Sequence, residues 1–425
     1  MSPQPGAPGL EERSEPVLDA TGGAVGLRRS LGLPLLVLYG LGTTIGAGIY
    51  VLAGKIAGIA GSAAPLAFLG ASLLAAFTAA SFAELSSRFP TSAGEVHYVR
   101  AGLGSQGLGT LVGLLVVAAG TVSGATMSQG FAGHLAELWG IPRLPALVGL
   151  VLVLTGIAAW GIGESLRIAA AVTLVEIFGL CLVLWVTRGH WSSLPEQLPA
   201  MVPTDLAGWG SVGTASLLAF YAFLGFEDMV NIAEEVKQAR RRMPVAIAIT
   251  LVATSLLYTL IAAAAVLTVA PSELAQSEAP LAMVYSRAGG GDPRVLGAIA
   301  ILAVVNGALV QIIMAARVLY GMGALGALPA RLARVHRRTR TPLLATVVVG
   351  FCMVALGVTF PLVRLAEATA LITLTVFGLV NLALVRLHWR APTPAGAYHV
   401  PRWAPIAGAL VSFGVLGSGL IALFT

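Results

Sequence analysis

The chain has 425 residues, of which 57% are hydrophobic and only 10% charged, whereas soluble domains carry about 25% charged residues. A mean hydropathy of +0.88 excludes a soluble globular domain. Apolar runs of span length exclude outer-membrane strands, which are about 9–11 residues of alternating polarity. The expected class is an all-α polytopic membrane protein. The net charge of +6 raises the question of nucleic acid, which the placement of the basic residues answers below.

Residues 1–26 are rich in Pro, Gly and acids, show no hydrophobic period, and read as a disordered cytoplasmic tail without a signal peptide. Eleven spans are expected over 31–56, 64–86, 106–132, 144–161, 166–187, 212–234, 244–270, 295–320, 342–360, 362–386 and 403–424. The first is interrupted by Gly40-Leu41-Gly42-Thr43-Thr44-Ile45-Gly46-Ala47-Gly48. Each Gly costs a helix roughly 1 kcal/mol relative to Ala. Irregular backbone at membrane depth is tolerated only inside protein or along a cavity. Close helix packing through small residues is the plainer reading of such glycines taken alone. Span 6 carries a counterpart, Tyr221-Ala222-Phe223-Leu224-Gly225-Phe226-Glu227-Asp228, with one Gly and two acids in an apolar segment.

Basic residues set the orientation. With the N-terminus inside, Lys55, Arg143, Arg188, Arg287, Arg294 and Arg364 fall outside and Arg317 within a span, while the other eighteen of the 25 fall inside. The charge is therefore a topology signal, and no nucleic-acid partner is expected. The run Lys237 to Arg242 is an anchor in contact with membrane lipid. Spans 1 and 6 are five apart, and an odd count makes the second set of five enter from the opposite side. Interrupted helices at matching places in two inverted halves point to a midplane site. The chain thus divides into the tail 1–26, a first five-helix repeat 27–187, an outer loop 188–211, a second repeat 212–386, and 387–425 with one extra span.

Four blocks then carry a family resemblance. They are Gly42 to Leu52; Ala83-Glu84-Leu85-Ser86-Ser87-Arg88-Phe89-Pro90 with Gly94-Glu95; Phe223-Leu224-Gly225-Phe226-Glu227 through Arg241-Arg242-Met243-Pro244; and Arg317-Val318-Leu319-Tyr320 with Leu328-Pro329. In this order the chain resembles the amino acid–polyamine–organocation superfamily of amino acid permeases. That resemblance implies the leucine-transporter-type fold and secondary transport of amino acids or amines, by proton symport or by exchange. A non-transporting sensor on the same fold remains the alternative of a different class. No enzyme motif or P-loop is present, so no cofactor is expected.

The site follows from the chemistry of a free amino acid. Its carboxylate suits the first N–H groups of the half-helix starting near Ala47, where the dipole end is positive. Its ammonium suits carbonyls at Thr43, Thr44, Ile45, Tyr221, Ala222 and Leu224. The resemblance implies substrate contact at Thr44, Gly46, Ala47, Gly48, Tyr221 and Leu224, and gives Tyr221 the part of an aromatic gate, with Phe223 beside it. Relatives often carry Ser or Thr where this chain has Ala47, so one hydroxyl contact is lost. Membrane-depth acids read as functional. Glu227 and Asp228 are candidates for proton or cation coupling, with helix N-capping the plainer role for Glu227. Glu176 is a third candidate, a carboxyl among apolar neighbours where several proton-coupled relatives have a nearby lysine. Asn306 is a candidate pathway residue. Glu84 and Arg88 read equally as gate residues or as a solvated interface pair. Cys181 and Cys352 read as small core residues, and the six His form no metal spacing. No metal is expected. The expected location is the inner membrane of a bacterium.

Overall fold

The computed structural model describes residues 31–91, 94–160, 166–324, 326–336 and 341–424. The expected tail 1–26 lies outside the described residues. The described residues are helical apart from connections, with a single isolated bridge between Leu31 and Val236. Among the described residues, eight helices are long and apolar enough to cross a membrane, and Leu33–Ile45, Leu343–Thr359 and Trp403–Gly417 are shorter apolar helices.

The chain opens with α1 (Leu33–Ile45), α2 (Ala47–Ala60) and α3 (Ala64–Arg88). Between α1 and α2 stands Gly46, at φ −31 and ψ −142. A short α4 (Gly94–Leu103) leads into α5 (Gln106–Trp139), whose N-cap Ser105 accepts from the Leu108 N–H and whose end is closed by Gly140 at φ 70. This helix runs a full two turns beyond the expected end at 132. Next come α6 (Arg143–Trp160), α7 (Leu166–Val186) and the short α8 (Leu194–Met201). Then α9 (Leu206–Phe220), N-capped by Asp205, passes into 3-10 turns at Tyr221–Phe223 and Glu227–Glu235.

The second half continues with α10 (Ala239–Thr268), the short α11 (Pro271–Gln276) and α12 (Pro280–Arg287), and the long α13 (Pro293–Ala324). It ends with α14 (Leu343–Thr359), α15 (Leu362–Arg390) and α16 (Trp403–Phe424). Proline stands at the first turn of α11 and α12, where its missing N–H leaves no bond unmade. Pro244 lies inside α10, so the Arg240 carbonyl loses its helical donor. The Ser87 hydroxyl donates to it instead, at 2.6 Å.

Helix α13 lies along α5, and α10 along α3. An aromatic knot joins α3, α4, the span 6 turns and α15. Phe82 meets Phe377 at 5.4 Å, Phe226 at 5.9 Å and Tyr98 at 6.2 Å between ring centroids, all edge-on. Large apolar side chains are exposed on the outer faces, as Val252, Leu256 and Phe351 are, which is the pattern of a surface solvated by lipid. Cys181 is exposed and Cys352 half-buried. Neither is the core residue the sequence suggested: Leu180 and Met353 beside them are buried, while the two cysteines stand on other faces of their helices.

Candidate functional site

The two interruptions meet. Gly225 has φ +120, and a Cβ there would lie 2.2 Å from the Thr43 carbonyl oxygen. Only glycine permits this conformation and this approach together. The Thr43 hydroxyl donates to the Gly225 carbonyl at 2.9 Å, and also reaches the carbonyls of Gly40 and Tyr39 at 3.0 and 3.2 Å. Gly48 is equally constrained, because a Cβ there would sit 2.4 Å from the Ala222 Cα.

A cavity of about 50 Å³ lies at this junction. Thr43, Thr44, Gly46, Gly48, Tyr221, Leu224, Glu227 and Asp228 line it, as do residues the sequence did not single out: Glu95, Ser123, Gln311, Thr369 and Thr373. The Tyr221 hydroxyl pairs with the Ser123 hydroxyl at 3.1 Å, which holds the ring across the cavity. Ile45 is fully buried and Ala222 nearly so, and neither lines the cavity. Phe223 is fully buried and packs edge-on against Tyr258, 5.1 Å between centroids. It is a packing residue here rather than a wall of the cavity. The side chain of Ala47 lies outside the described residues.

Backbone polarity at the junction is partly committed. The Tyr258 hydroxyl donates to the Thr44 carbonyl at 2.8 Å, and the Leu224 N–H to the Tyr221 carbonyl at 3.2 Å. Each carbonyl keeps a second lone pair for an ammonium. At the start of α2 the opposite holds. The Gly46 cap offers no side-chain acceptor, so the first N–H groups of α2 have no cap from that side.

The acids divide into three environments. The Glu227 carboxylate accepts the Gly225 N–H at 2.8 Å, so it bonds the backbone of its own interruption. Glu95, at 4% exposure on α4, faces the same cavity. Burial, and then the Glu227 charge, push its carboxyl up to about 7. Its neighbour His97 is held below the ordinary imidazole value by burial and by Arg100. Asp228 lines this cavity and a smaller adjoining one of about 20 Å³, where Asn306, Thr173 and Gln311 also stand. Glu176 lines neither. It is fully buried, and neither carboxyl oxygen has a hydrogen bond among the described residues. Its backbone carbonyl accepts the Tyr50 hydroxyl at 2.6 Å.

Glu84 and Arg88 are not a solvated pair. Their side chains are 0% and 3% exposed. The Arg88 Nε donates to Glu84 at 2.8 Å, His388 Nε2 lies 2.8 Å from the same oxygen, and the Val400 N–H donates to the other oxygen at 2.8 Å. Glu84, His388 and His399 offer atoms within 4.8 Å of one another. The arginine seated on that carboxylate makes the group an ion-pair knot rather than a cation site. At the other end of the bundle Lys55 and Arg143 both reach Glu278 at 3.4 Å. Glu137 accepts from the Ser277 hydroxyl at 2.7 Å and from the Glu278 and Ala279 N–H groups, so α5 caps the start of α12.

Gln311, Thr369 and Thr373 carried a signal that was available. They are polar residues inside long apolar spans, with Thr369 and Thr373 one turn apart. Glu95 lay inside a quoted block but outside any span, where an acid usually meets water.

Residues 31–425 match the family described as amino acid permease. The branched-chain amino acid permease BcaP of Bacillus subtilis is 30% identical over 422 residues, covering 93% of this chain and 89% of that protein. The cationic amino acid transporter 3, mitochondrial, of Arabidopsis thaliana is 29% identical over 388 residues. That match covers 86% of this chain but only 63% of the plant protein's length. The methylthioribose transporter of Bacillus subtilis is 30% identical over 419 residues, covering 90% of this chain and 86% of that protein. These relatives are transporters and not enzymes. With nearly its whole length matched, the chain belongs to the amino acid permease family, within the amino acid–polyamine–organocation superfamily.

Proposed function

We propose that the protein is a secondary active transporter that moves amino acids by alternating access and is coupled to protons. The observation that carries this reading is the cavity at the junction of the two interruptions, with α2 N–H groups on one side and span 6 carbonyls on the other. The substrate carboxylate binds at the start of α2, beside Gly46, Ala47 and Gly48. The ammonium binds the spare lone pairs of Thr43, Thr44, Tyr221 and Leu224. Tyr221 gates the cavity. The two halves, 27–187 and 212–386, are inverted five-helix repeats of the leucine-transporter type within eleven spans, and the N-terminus is cytoplasmic in a bacterial inner membrane.

Proton coupling rests on the acids. Glu227 and Asp228 share the cavity with the substrate. Glu176 is a fully buried carboxyl whose two oxygens have no hydrogen bond among the described residues, in a span that is otherwise apolar around it. The relatives' printed names span branched-chain amino acids, cationic amino acids and methylthioribose, so the side-chain class is set outside the shared backbone site.

The test is uptake into liposomes holding the purified protein. An inward proton gradient alone drives accumulation of a substrate amino acid, and Glu176→Gln removes that acceleration while counterflow persists. Counterflow without gradient-driven accumulation would assign an exchanger. Stabilisation by an amino acid with neither flux would assign a sensor.

A further inference from the structure

A cleft at the basic end of the bundle plays no part in the reading above. Two adjoining hollows, of about 530 and about 390 Å³, share Arg240, Arg241 and Gly396. Both arginines are exposed, and neither pairs with an acid among the described residues. No described residue lining either hollow is acidic. The second hollow turns apolar, with Pro244, Val245, Ala248 and Tyr398 in its wall.

The apolar wall continues along α10. Val245, Ile249, Val252 and Leu256 are 45%, 42%, 68% and 62% exposed. Their spacing of four, three and four residues puts them on one helix face. That face runs from the arginines toward the middle of the bundle, along the lipid-exposed side. The cleft therefore has a cationic head and an apolar track of helical length. A soluble anion would use the head and leave the track empty. A phospholipid uses both.

The floor is also fixed in place. The Pro244-freed carbonyl of Arg240 takes the Ser87 hydroxyl at 2.6 Å, and the same Ser87 oxygen accepts the Tyr398 N–H at 2.8 Å. One serine thus binds α3, α10 and the segment before α16 around the cleft. The turn before α10 is held by Gln238 at φ 55, whose carbonyl accepts the N–H groups of Arg241 and Arg242. The arginines are presented by a braced corner, not a loose loop.

We propose that this cleft is a binding site for an anionic phospholipid, its phosphate between Arg240 and Arg241 and one acyl chain along Val245 to Leu256. The charge complementarity and the continuous apolar track select that occupant. Two arginines near a membrane surface are worth roughly a thirtyfold preference over a zwitterionic lipid.

The experiment is native mass spectrometry of the full chain, released from mixed micelles with equal phosphatidylglycerol and phosphatidylcholine. Wild type retains phosphatidylglycerol by roughly the thirtyfold preference given above. R240Q/R241Q loses the preference and R240K/R241K keeps most of it. R287Q, at the opposite end, keeps it fully. Competition by millimolar inorganic phosphate is absent. Equal retention of the two lipids by wild type overturns the proposal, as does a preference undiminished in R240Q/R241Q. Displacement of the lipid by inorganic phosphate also overturns it, and identifies a free-anion site. If R240Q/R241Q does not fold, the wild-type preference and the phosphate arm decide the matter alone.

Discussion

Gly48 and Gly225 are the residues at the site with little freedom to change. A methyl at Gly48 meets the Ala222 Cα at 2.4 Å, and backbone cannot rotate aside as a side chain can. Gly48→Ala is expected to cost about 1–3 kcal/mol through overpacking and to abolish stabilisation by a bound amino acid, both read in a thermal unfolding assay. Glu95 gives a pH signature. Its folded value near 7 lies above the ordinary 4.5, so the folded state favours the neutral acid. That advantage is complete below the unfolded value and is lost as pH rises toward 7. Glu95→Gln therefore flattens stability between these limits and gains roughly 1–3 kcal/mol at pH 8. The glycine stretch was legible because Gly and Thr are anomalous in an apolar span. Glu95 was not, because its burial comes from α5 and α15 folding over a segment that is polar by sequence.

Single interactions at the two ends of the bundle bind whole elements together. At the basic end one carboxylate, Glu84, collects Arg88 from its own helix, His388 from α15 and Val400 from the segment before α16. Removing one partner of a buried ion pair costs about 3–5 kcal/mol, because the other charge stays buried. Glu84→Gln is expected to lower the thermal midpoint, whereas Glu273→Gln, in an exposed pair with Arg287, leaves it within experimental error. The sequence offered Glu84 and Arg88 as an i,i+4 pair and stopped there. Their burial depends on partners some 300 residues away, a distance at which helical spacing carries no information. At the opposite end, Glu137 reaches across to the start of α12. That contact became possible because α5 extends beyond its apolar run, which the hydropathy pattern alone truncated.

Over the whole molecule, the apolar runs and the basic asymmetry were the readable features. Membrane helices must satisfy their own backbone, so hydropathy maps directly onto elements. Family membership was legible in four short blocks, while contacts between the blocks were not. The orientation proposed from the basic residues is open to direct test. In a background lacking Cys181 and Cys352, a cysteine replacing Lys237 is expected to react with an impermeant thiol reagent only from the inside of vesicles. One replacing Arg188 is expected to react only from the outside. Both native positions are exposed, so a failure to react is not a matter of burial.

The bond from Thr43 to Gly225 joins residues 182 apart in the chain. At about 5–20 residues per second of synthesis, roughly 9–36 s separate their emergence from the ribosome. For that interval the first interrupted helix, though it can already pack against α7, lacks the span 6 backbone that meets it at Thr43. The nascent first half is therefore the stage at which membrane quality control has its longest access to this protein. Substitutions at Gly225 are expected to shorten the life of the newly made chain before they alter any property of the finished one.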